Sequence, residues 1–216
     1  MTVVIDCDSH IMEPANLWLD YLEAPYRDRA IRIEETDGVE TLIIGEEAFL
    51  EGRLAGLGGA HLNRAALFGT GLKYADGCPP ASYDPDARMK LYQEWGVDKG
   101  VTFPTVGILP FPLTDMDLNS AYCRAYNRWQ LDTFESIRNH VVPIAIINWH
   151  DMATAVPELE RCLANGFKGV FVPPEVIGGL RPGQAEFDPI WSMLESAGVP
   201  GDRKSTRLNS SHQIIS

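Results

Sequence analysis

The sequence is poor in basic residues and in long apolar runs, and each shortage argues against a class of function. Its 216 residues include 18 Lys and Arg against 30 Asp and Glu, a formal net charge of −12. This charge disfavours contact with nucleic acid or with an anionic membrane surface. No apolar stretch approaches the roughly 20 residues that a membrane-spanning helix needs, and the N-terminus lacks the pattern of a signal peptide. We therefore expect a cytoplasmic protein that acts on a small molecule, with no nucleic-acid or membrane partner.

Cysteine is also scarce, and several common enzyme motifs are missing. The four cysteines are scattered, without a C-x-x-C pair, which favours a reduced compartment and ordinary packing roles. No G-x-G-x-x-G follows the first predicted strand, so dinucleotide binding has no support. Walker, G-x-S-x-G and H-E-x-x-H motifs do not occur either.

The most informative stretch is the N-terminal segment 3–14. The β-branched apolar run 3–5 predicts a buried strand. Asp8 and His10 are two residues apart, so in an extended chain their side chains point to the same side. A carboxylate and an imidazole at a strand end can supply two ligands to one divalent metal, with Asp6 on the same face as a supporting residue. The alternative is that Asp8 and His10 only form a hydrogen-bonding pair.

The rest of the chain alternates between strand and helix patterns. Strands are predicted at 3–7, 100–103, 141–147 and 167–172, each followed by a helical pattern, which indicates βα units and a parallel sheet. A Rossmann-like sheet gives the same alternation. Two β-branched runs, 31–35 and 39–44, flank Asp37-Gly38 and predict a hairpin. Helices are predicted at 14–22, 84–95, 115–139, 152–165 and 188–198, with Asp84, Asp115 or Asp117, and Asp188 as N-caps.

Further candidate residues lie at a strand end and in a glycine-rich segment. His150 follows the predicted strand 141–147, where catalytic residues of barrel enzymes cluster, although it could simply begin the next helix with Asp151. Trp149 beside it is a candidate substrate-binding residue. Arg53 lies in the long segment 51–83 and could hold a substrate carboxylate. His61 and Arg64 share that segment, and for all three a solvent-exposed role is the alternative.

The string Asp6-x-Asp8-Ser9-His10-x-x-Glu13-Pro14 resembles the opening of the amidohydrolase superfamily. More narrowly, it is similar to the amidohydrolase-related family that includes aminocarboxymuconate-semialdehyde and resorcylate decarboxylases. The resemblance implies a TIM (β/α)8-type barrel whose first strand ends in a metal-binding pair. Asp8 stands where many members have His, which leaves the identity of the metal more open. Zn²⁺ is the default, with Mn²⁺ possible. Glu13 is a supporting candidate. An insertion is expected at about 27–83, and its glycine-rich segment 51–83 is expected to be a lid over the barrel mouth.

The same resemblance implies two chemistries and leaves one different class open. The first is hydrolysis of a small amide, ester, lactone or carboxylated substrate by a metal-activated water. The alternative is non-oxidative decarboxylation. A third interpretation is a non-catalytic βα module that binds a ligand. The family further implies a His ligand, a catalytic His and an Asp beyond Pro200, and the sequence does not contain them at matching positions.

The last residues resemble something other than a protein segment. Residues 202–212 correspond in order to the translation of a common sequencing adapter. We therefore expect residues 1–201 to be a barrel truncated after about four to five βα units, with 202–216 not native. Sequencing the source DNA through codon 200 tests this expectation. We expect the 216-residue product to have little activity and to expose unpaired strand edges, and the full-length parent could form a homo-oligomer.

Overall fold

Parallel strands joined by helices form the centre of the computed structural model, which describes residues 2–58, 62–63, 71–109, 113–174 and 176–203. The strands are β1 Ile5–His10, β2 Arg32–Thr36, β3 Val39–Ile44, β4 Glu47–Glu51, β5 Lys99–Phe103, β6 Val141–Pro143, β7 Val170–Val172 and β8 Gly201–Arg203. The α-helices are α1 Leu17–Tyr21, α2 Pro85–Trp95, α3 Met116–Phe134, α4 Met152–Ala164 and α5 Asp188–Ala197. Short 3₁₀ helices span Ala24–Arg29, Leu54–Leu57, Tyr74–Gly77, Pro80–Ser82, Glu135–Ile137 and Ala185–Phe187.

The parallel strands follow one another in sequence order. β1 pairs with β5, β5 with β6, and β7 with β8, all in parallel. A parallel bridge between Ala145 and Val170 joins the segment after β6 to β7. Each parallel strand therefore neighbours the next one along the chain, without the reversal of order that marks a doubly wound sheet. The described residues form a mixed α/β fold with a parallel sheet, as the βα pattern predicted.

The burial predicted for the start of β1 was wrong. Val3, Val4 and Ile5 are 60%, 46% and 49% exposed, and the strand runs from Ile5 to His10. Within the described residues β1 pairs with β5 alone, so its outer edge is uncovered. An apolar run predicts burial only when a second element covers the strand.

The predicted hairpin is confirmed and belongs to a separate antiparallel sheet. β2 and β3 pair around Asp37 and Gly38, whose φ angles of 51° and 80° suit the tight turn that favours this dipeptide. A third strand, β4, which the sequence did not predict, pairs with β3. The Tyr122 hydroxyl on α3 fastens this sheet, because it accepts from Gly45 N at 3.1 Å and donates to the Arg29 carbonyl.

Local capping signals placed the helix ends well. The carboxylates of Asp84, Asp115 and Asp151 accept hydrogen bonds from the first turns of α2, α3 and α4. Gly96 and Gly198 end α2 and α5 in the left-handed conformation, as C-terminal glycines do. Helix α3 ends at Phe134, before the predicted residue 139, and Asp188 is the first residue of α5 instead of its cap.

Strand β6 is shorter than predicted because a side chain takes the place of a neighbouring strand as the hydrogen-bond partner of its backbone. The run 141–147 forms a strand only at Val141–Pro143, although 144–147 is buried as expected. The buried amide of Asn127 on α3 accepts from Ile146 N at 3.0 Å and donates to Ile146 O at 2.8 Å. One side chain thus satisfies both backbone groups of that residue.

Two apolar cores flank these elements. The larger joins α1 and α3 to β1, β5 and the antiparallel sheet, and the smaller packs α4 and α5 on β7. The strand expected after Val199 is β8, which includes Asp202 and Arg203, two residues that the sequence analysis had set apart with the tail. Within the described part of the chain, no helix is long and apolar enough to cross a membrane.

Candidate metal centre

The side chains of Asp8 and His10 meet at the carboxyl end of β1. Asp8 Oδ1 lies 3.9 Å from His10 Nε2, and the two side chains are 32% and 25% exposed. The same-side orientation expected from their spacing is therefore observed. Neither group is sealed from solvent, so a small molecule can reach both.

A bulge in β1 shapes this end of the strand. Asp6 aligns with Gly100 of β5 but Ser9 aligns with Thr102, so two residues, Cys7 and Asp8, oppose a single residue of β5. Bulges of this kind re-aim side chains and are common next to active sites. The carboxylate of Asp6 accepts a hydrogen bond from Asp8 N at 3.0 Å. Asp6 therefore holds the backbone of Asp8 inside the bulge, and Cys7 is exposed.

His10 is held at its ring and at its backbone. Its Nδ1 lies 3.1 Å from the hydroxyl of Thr105, just beyond the end of β5, and its ring packs 6.1 Å from that of Phe103. Its carbonyl accepts a hydrogen bond of 2.8 Å from the buried guanidinium of Arg88. Arg88 also donates to the Ser9 hydroxyl at 2.9 Å, on the opposite side of the strand. These contacts fix both the position and the orientation of the imidazole.

Glu13 is buried under the loop that carries Thr105. Its carboxylate accepts hydrogen bonds from the backbone N–H groups of Thr105 at 3.1 Å and of Val106 and Gly107 at 2.8 Å each. Burial raises the pKa of Glu13 to about 7, while the three amides act in the opposite direction. The Tyr74 hydroxyl donates to the Glu13 carbonyl at 2.6 Å. Glu13 thus ties the segment after β1 to the segment after β5.

The other predicted site residues lie in different surroundings. Trp149 is 2% exposed, donates from its indole to the Phe171 carbonyl at 2.9 Å, and packs against Phe187 and Trp191 in the smaller core. It packs in this structure, and its substrate-binding role stays a prediction. Arg53 is exposed in a left-handed backbone conformation. His61 and Arg64 lie outside the described residues.

His150 is half-buried and comes directly before the α4 cap. Its backbone N–H donates to the side-chain oxygen of Asn148 at 3.1 Å, and Asp151 next to it caps the helix. The alternative role expected from the sequence, the start of the next helix, therefore describes Asp151. His150 remains a predicted catalytic residue that no contact described here tests.

Sequence reasoning missed the residues that position His10. Thr105 follows the predicted strand 100–103 and Arg88 lies within the predicted helix 84–95, where an arginine is usually solvated, so neither residue was a candidate. The signal that could have found Thr105 is the expected parallel pairing of β1 with β5. The carboxyl ends of parallel strands lie at the same edge of the sheet, so residues that follow the two strands come close together.

The residues present suit a divalent metal but supply only part of its shell. Among the described residues, no group of three His, Cys, Asp or Glu side chains could hold a metal ion. Zinc bonds imidazole nitrogen and carboxylate oxygen at about 2.0–2.2 Å, so in its tetrahedral geometry two donors on one ion lie about 3.4 Å apart. Asp8 Oδ1 and His10 Nε2 are 3.9 Å apart, a slightly longer distance that a small rotation of either side chain would close. Asp8 and His10 therefore fit as two ligands of one ion.

Comparison with known proteins identifies the family. The sequence profile of the amidohydrolase family matches residues 5–202. The chain belongs to this amidohydrolase family. No curated protein matches it.

Solved structures share the fold over about half of their length. An amidohydrolase from Mycobacterium avium subsp. paratuberculosis K-10 superposes with a TM-score of 0.75 at 24% identity, covering 93% of this chain and 58% of that one. The 2,6-dihydroxybenzoate decarboxylase from Rhizobium gives 0.55 at 14%, with 93% and 49% covered. The 4-oxalomesaconate hydratase from Rhodopseudomonas palustris gives 0.52 at 17%, with 92% and 51% covered. At these identities the likeness concerns the fold.

Proposed function

We propose that Asp8 and His10 are two ligands of a divalent metal centre in a metal-dependent hydrolase of the amidohydrolase family. The observation that carries this proposal is the 3.9 Å approach of Asp8 Oδ1 to His10 Nε2 at the carboxyl end of β1. Zn²⁺ is the expected ion and Mn²⁺ the alternative, because both accept mixed carboxylate and imidazole ligands. The remaining ligands would come from residues outside those that the structure describes.

The proposed framework is a TIM-type barrel, and the order of the parallel strands supports it. Five strands, β1, β5, β6, β7 and β8, follow one another in space as in sequence. A barrel is wound in one direction, whereas a doubly wound sheet reverses its order. Functional residues of such barrels sit at the carboxyl ends of the strands, where Asp8 and His10 are found.

The chemistry proposed for the site is hydrolysis of a small amide, ester, lactone or carboxylated substrate. When bound, the metal would lower the pKa of a coordinated water and polarise a substrate carbonyl or carboxylate. Asp8 and His10 would hold the ion, while Asp6 holds the backbone of Asp8 and Glu13 holds the loop beside His10. The Rhizobium structure, a decarboxylase, favours non-oxidative decarboxylation as the second candidate. The two are distinguished by their products, a released acid with its amine or alcohol against carbon dioxide.

Zinc affinity tests the proposal directly. The metal-free protein is titrated with Zn²⁺ in competition with a chromophoric chelator, alongside Asp8→Ala and His10→Ala. We expect each substitution to weaken binding at least tenfold, because each removes one of two described donors. His140→Ala is the matched control, since His140 lies at the amino end of β6, away from the site. Equal zinc affinity in all four proteins would contradict the proposal and favour a non-catalytic ligand-binding module.

A further inference from the structure

The Thr105 hydroxyl lies between the ring of His10 and the backbone of Ile11. Thr105 Oγ1 is 3.1 Å from His10 Nδ1 and 2.8 Å from the Ile11 carbonyl oxygen. A hydroxyl has one proton to donate, and a carbonyl oxygen can only accept. The Thr105 proton therefore goes to Ile11, and the hydroxyl oxygen is left to accept a hydrogen bond from His10.

This arrangement defines which nitrogen of His10 carries the hydrogen. Since Thr105 Oγ1 is the acceptor, Nδ1 must be the donor, and in the neutral ring Nε2 then carries the lone pair. Nε2 is also the nitrogen that lies 3.9 Å from Asp8 Oδ1. The lone pair of His10 Nε2 is therefore on the side of the ring that faces the Asp8 carboxylate, the other proposed metal ligand.

The acceptor behind Thr105 is rigid. Ile11 is fully buried, and its N–H donates to the Phe103 carbonyl at 3.0 Å, which continues the β1–β5 pairing. The neighbouring carbonyl of His10 is fixed by the Arg88 guanidinium at 2.8 Å. These two contacts hold the His10–Ile11 peptide group, and the Ile11–Met12 group is held by the Met12 N–H, which donates to the Ser82 carbonyl at 3.2 Å. Because both peptide groups are held in place, the Ile11 carbonyl keeps the Thr105 proton oriented away from the imidazole.

Glu13 holds the backbone of Thr105 and of the two residues that follow it. Its carboxylate accepts from the N–H groups of Thr105, Val106 and Gly107, which closes the loop after β5 around it. A side chain on Gly107 would place its Cβ 3.0 Å from Glu13 Oε1 and 3.2 Å from the Tyr126 ring, so the loop is also tightly packed. The position of the Thr105 hydroxyl is therefore set by buried contacts.

We propose that Thr105 is a positioning residue that sets His10 in its Nδ1–H tautomer and presents Nε2 toward Asp8. The part of this inference that concerns metal binding rests on the proposed function. Partners of this kind on the second ring nitrogen of a ligating histidine commonly change metal affinity by about 10–100-fold when removed.

Nitrogen-15 NMR of the metal-free 216-residue chain tests the tautomer. Histidine is labelled at both ring nitrogens, and the His10 signals are assigned by their loss in His10→Gln. Spectra are recorded at about pH 8.5, above the ordinary histidine pKa of about 6.5. We expect the wild-type ring to be protonated at Nδ1. In Thr105→Val, which keeps the shape and removes the hydroxyl, the signals should move toward those of an Nε2–H or mixed ring, whereas Thr105→Ser should restore the wild-type pattern.

Zinc titration of the same proteins adds the second readout. We expect Thr105→Val to weaken Zn²⁺ binding by about 10–100-fold and Thr105→Ser to remain within a few-fold of wild type. An Nε2–H ring in the wild-type protein overturns the inference without any variant, so a folding defect in Thr105→Val cannot hide the answer. Unchanged His10 signals in a folded Thr105→Val or Thr105→Ala also overturn it. An Nδ1–H ring that responds to Thr105, in a protein that binds no zinc, supports the inference and contradicts the proposed function instead.

Discussion

Glu13 is a carboxylate enclosed by three backbone amides, and burial and hydrogen bonding act on its charge in opposite directions. Burial is the larger effect and raises its pKa from 4.5 to about 7. The side chain therefore binds a proton in the folded protein under conditions in which it is ionised in the unfolded chain. This makes Glu13 a residue whose contribution to stability depends on pH.

The direction of this pKa shift predicts how the stability of the protein changes with pH. Between about pH 4.5 and 7 the folded state holds more protons at Glu13 than the unfolded state, so the free energy of unfolding falls as the pH rises. The contribution is complete below about pH 4.5 and is lost through about pH 7, with a total of about 3 kcal/mol.

Urea denaturation of wild type and Glu13→Gln over this pH range measures it. Glutamine keeps the shape but does not titrate. The unfolding free energy of wild type minus that of Glu13→Gln should therefore decrease with rising pH. Two curves that run parallel across the range would show that Glu13 does not titrate as its surroundings require.

At the scale of elements, Asn127 connects α3 to the buried segment after β6. Its amide makes both backbone hydrogen bonds of Ile146 and also donates to Glu158 on α4 at 2.7 Å. A single side chain therefore joins two helices and one strand extension. Because these groups are buried, nothing else in their surroundings replaces the bonds when the side chain is shortened.

We predict that Asn127→Ala lowers the free energy of unfolding by about 1–3 kcal/mol. The amide of Ile146 should also exchange with solvent faster than in wild type, since it loses its acceptor. Hydrogen exchange and thermal denaturation measure the two effects. Asn139→Ala is the control, because Asn139 is exposed. Equal stability of both variants would mean that Asn127 does not hold this junction.

Elements were predictable from the sequence where their signals are local. The caps at Asp84 and Asp115 and the turn at Asp37-Gly38 depend on neighbouring residues, and the structure confirms them. The length of β6 was not predictable in this way, because it depends on an amide from a helix that precedes it in the chain. The exposure of Val3 and Val4 likewise depends on what covers the strand.

The residues of the candidate site also differ in whether local sequence predicts them. The spacing of Asp8 and His10 predicts that they meet, because both lie on one strand. Thr105 reaches His10 from the loop after β5, more than 90 residues later in the chain, and Arg88 from a helix outside the sheet. Such partners follow from the pairing of β1 with β5, which sequence alternation suggests but does not align in register.

At the scale of the whole molecule, the parallel sheets β1-β5-β6 and β7-β8 are joined by the bridge between Ala145 and Val170, and within the described residues β1 and β8 are the outer strands of this series. The edge at β1 carries Val3, Val4 and Ile5, which are about half exposed or more. An open edge with apolar side chains is a site where sheets of different molecules pair. The chain spans about half the length of the solved relatives described above.

We predict concentration-dependent self-association of the 216-residue protein, weakened by Val4→Lys, because a charge on an edge strand opposes pairing. Sedimentation velocity over a range of concentrations measures it. Leu19→Lys is the control, since Leu19 is 51% exposed on α1, away from the edge. A wild-type protein that stays monomeric at every concentration would contradict the prediction, as would equal effects of the two substitutions.

The measurement that tests the central claim most directly is X-ray absorption spectroscopy of the protein loaded with one equivalent of zinc. If Asp8 and His10 are ligands, the wild-type spectrum contains the scattering of a bound imidazole, His10→Ala loses part of it, and His140→Ala retains it in full. Asp8→Ala should lose an oxygen ligand and keep the imidazole signal. A zinc shell that is the same in wild type and in His10→Ala would contradict the account, because the ion would then be bound elsewhere.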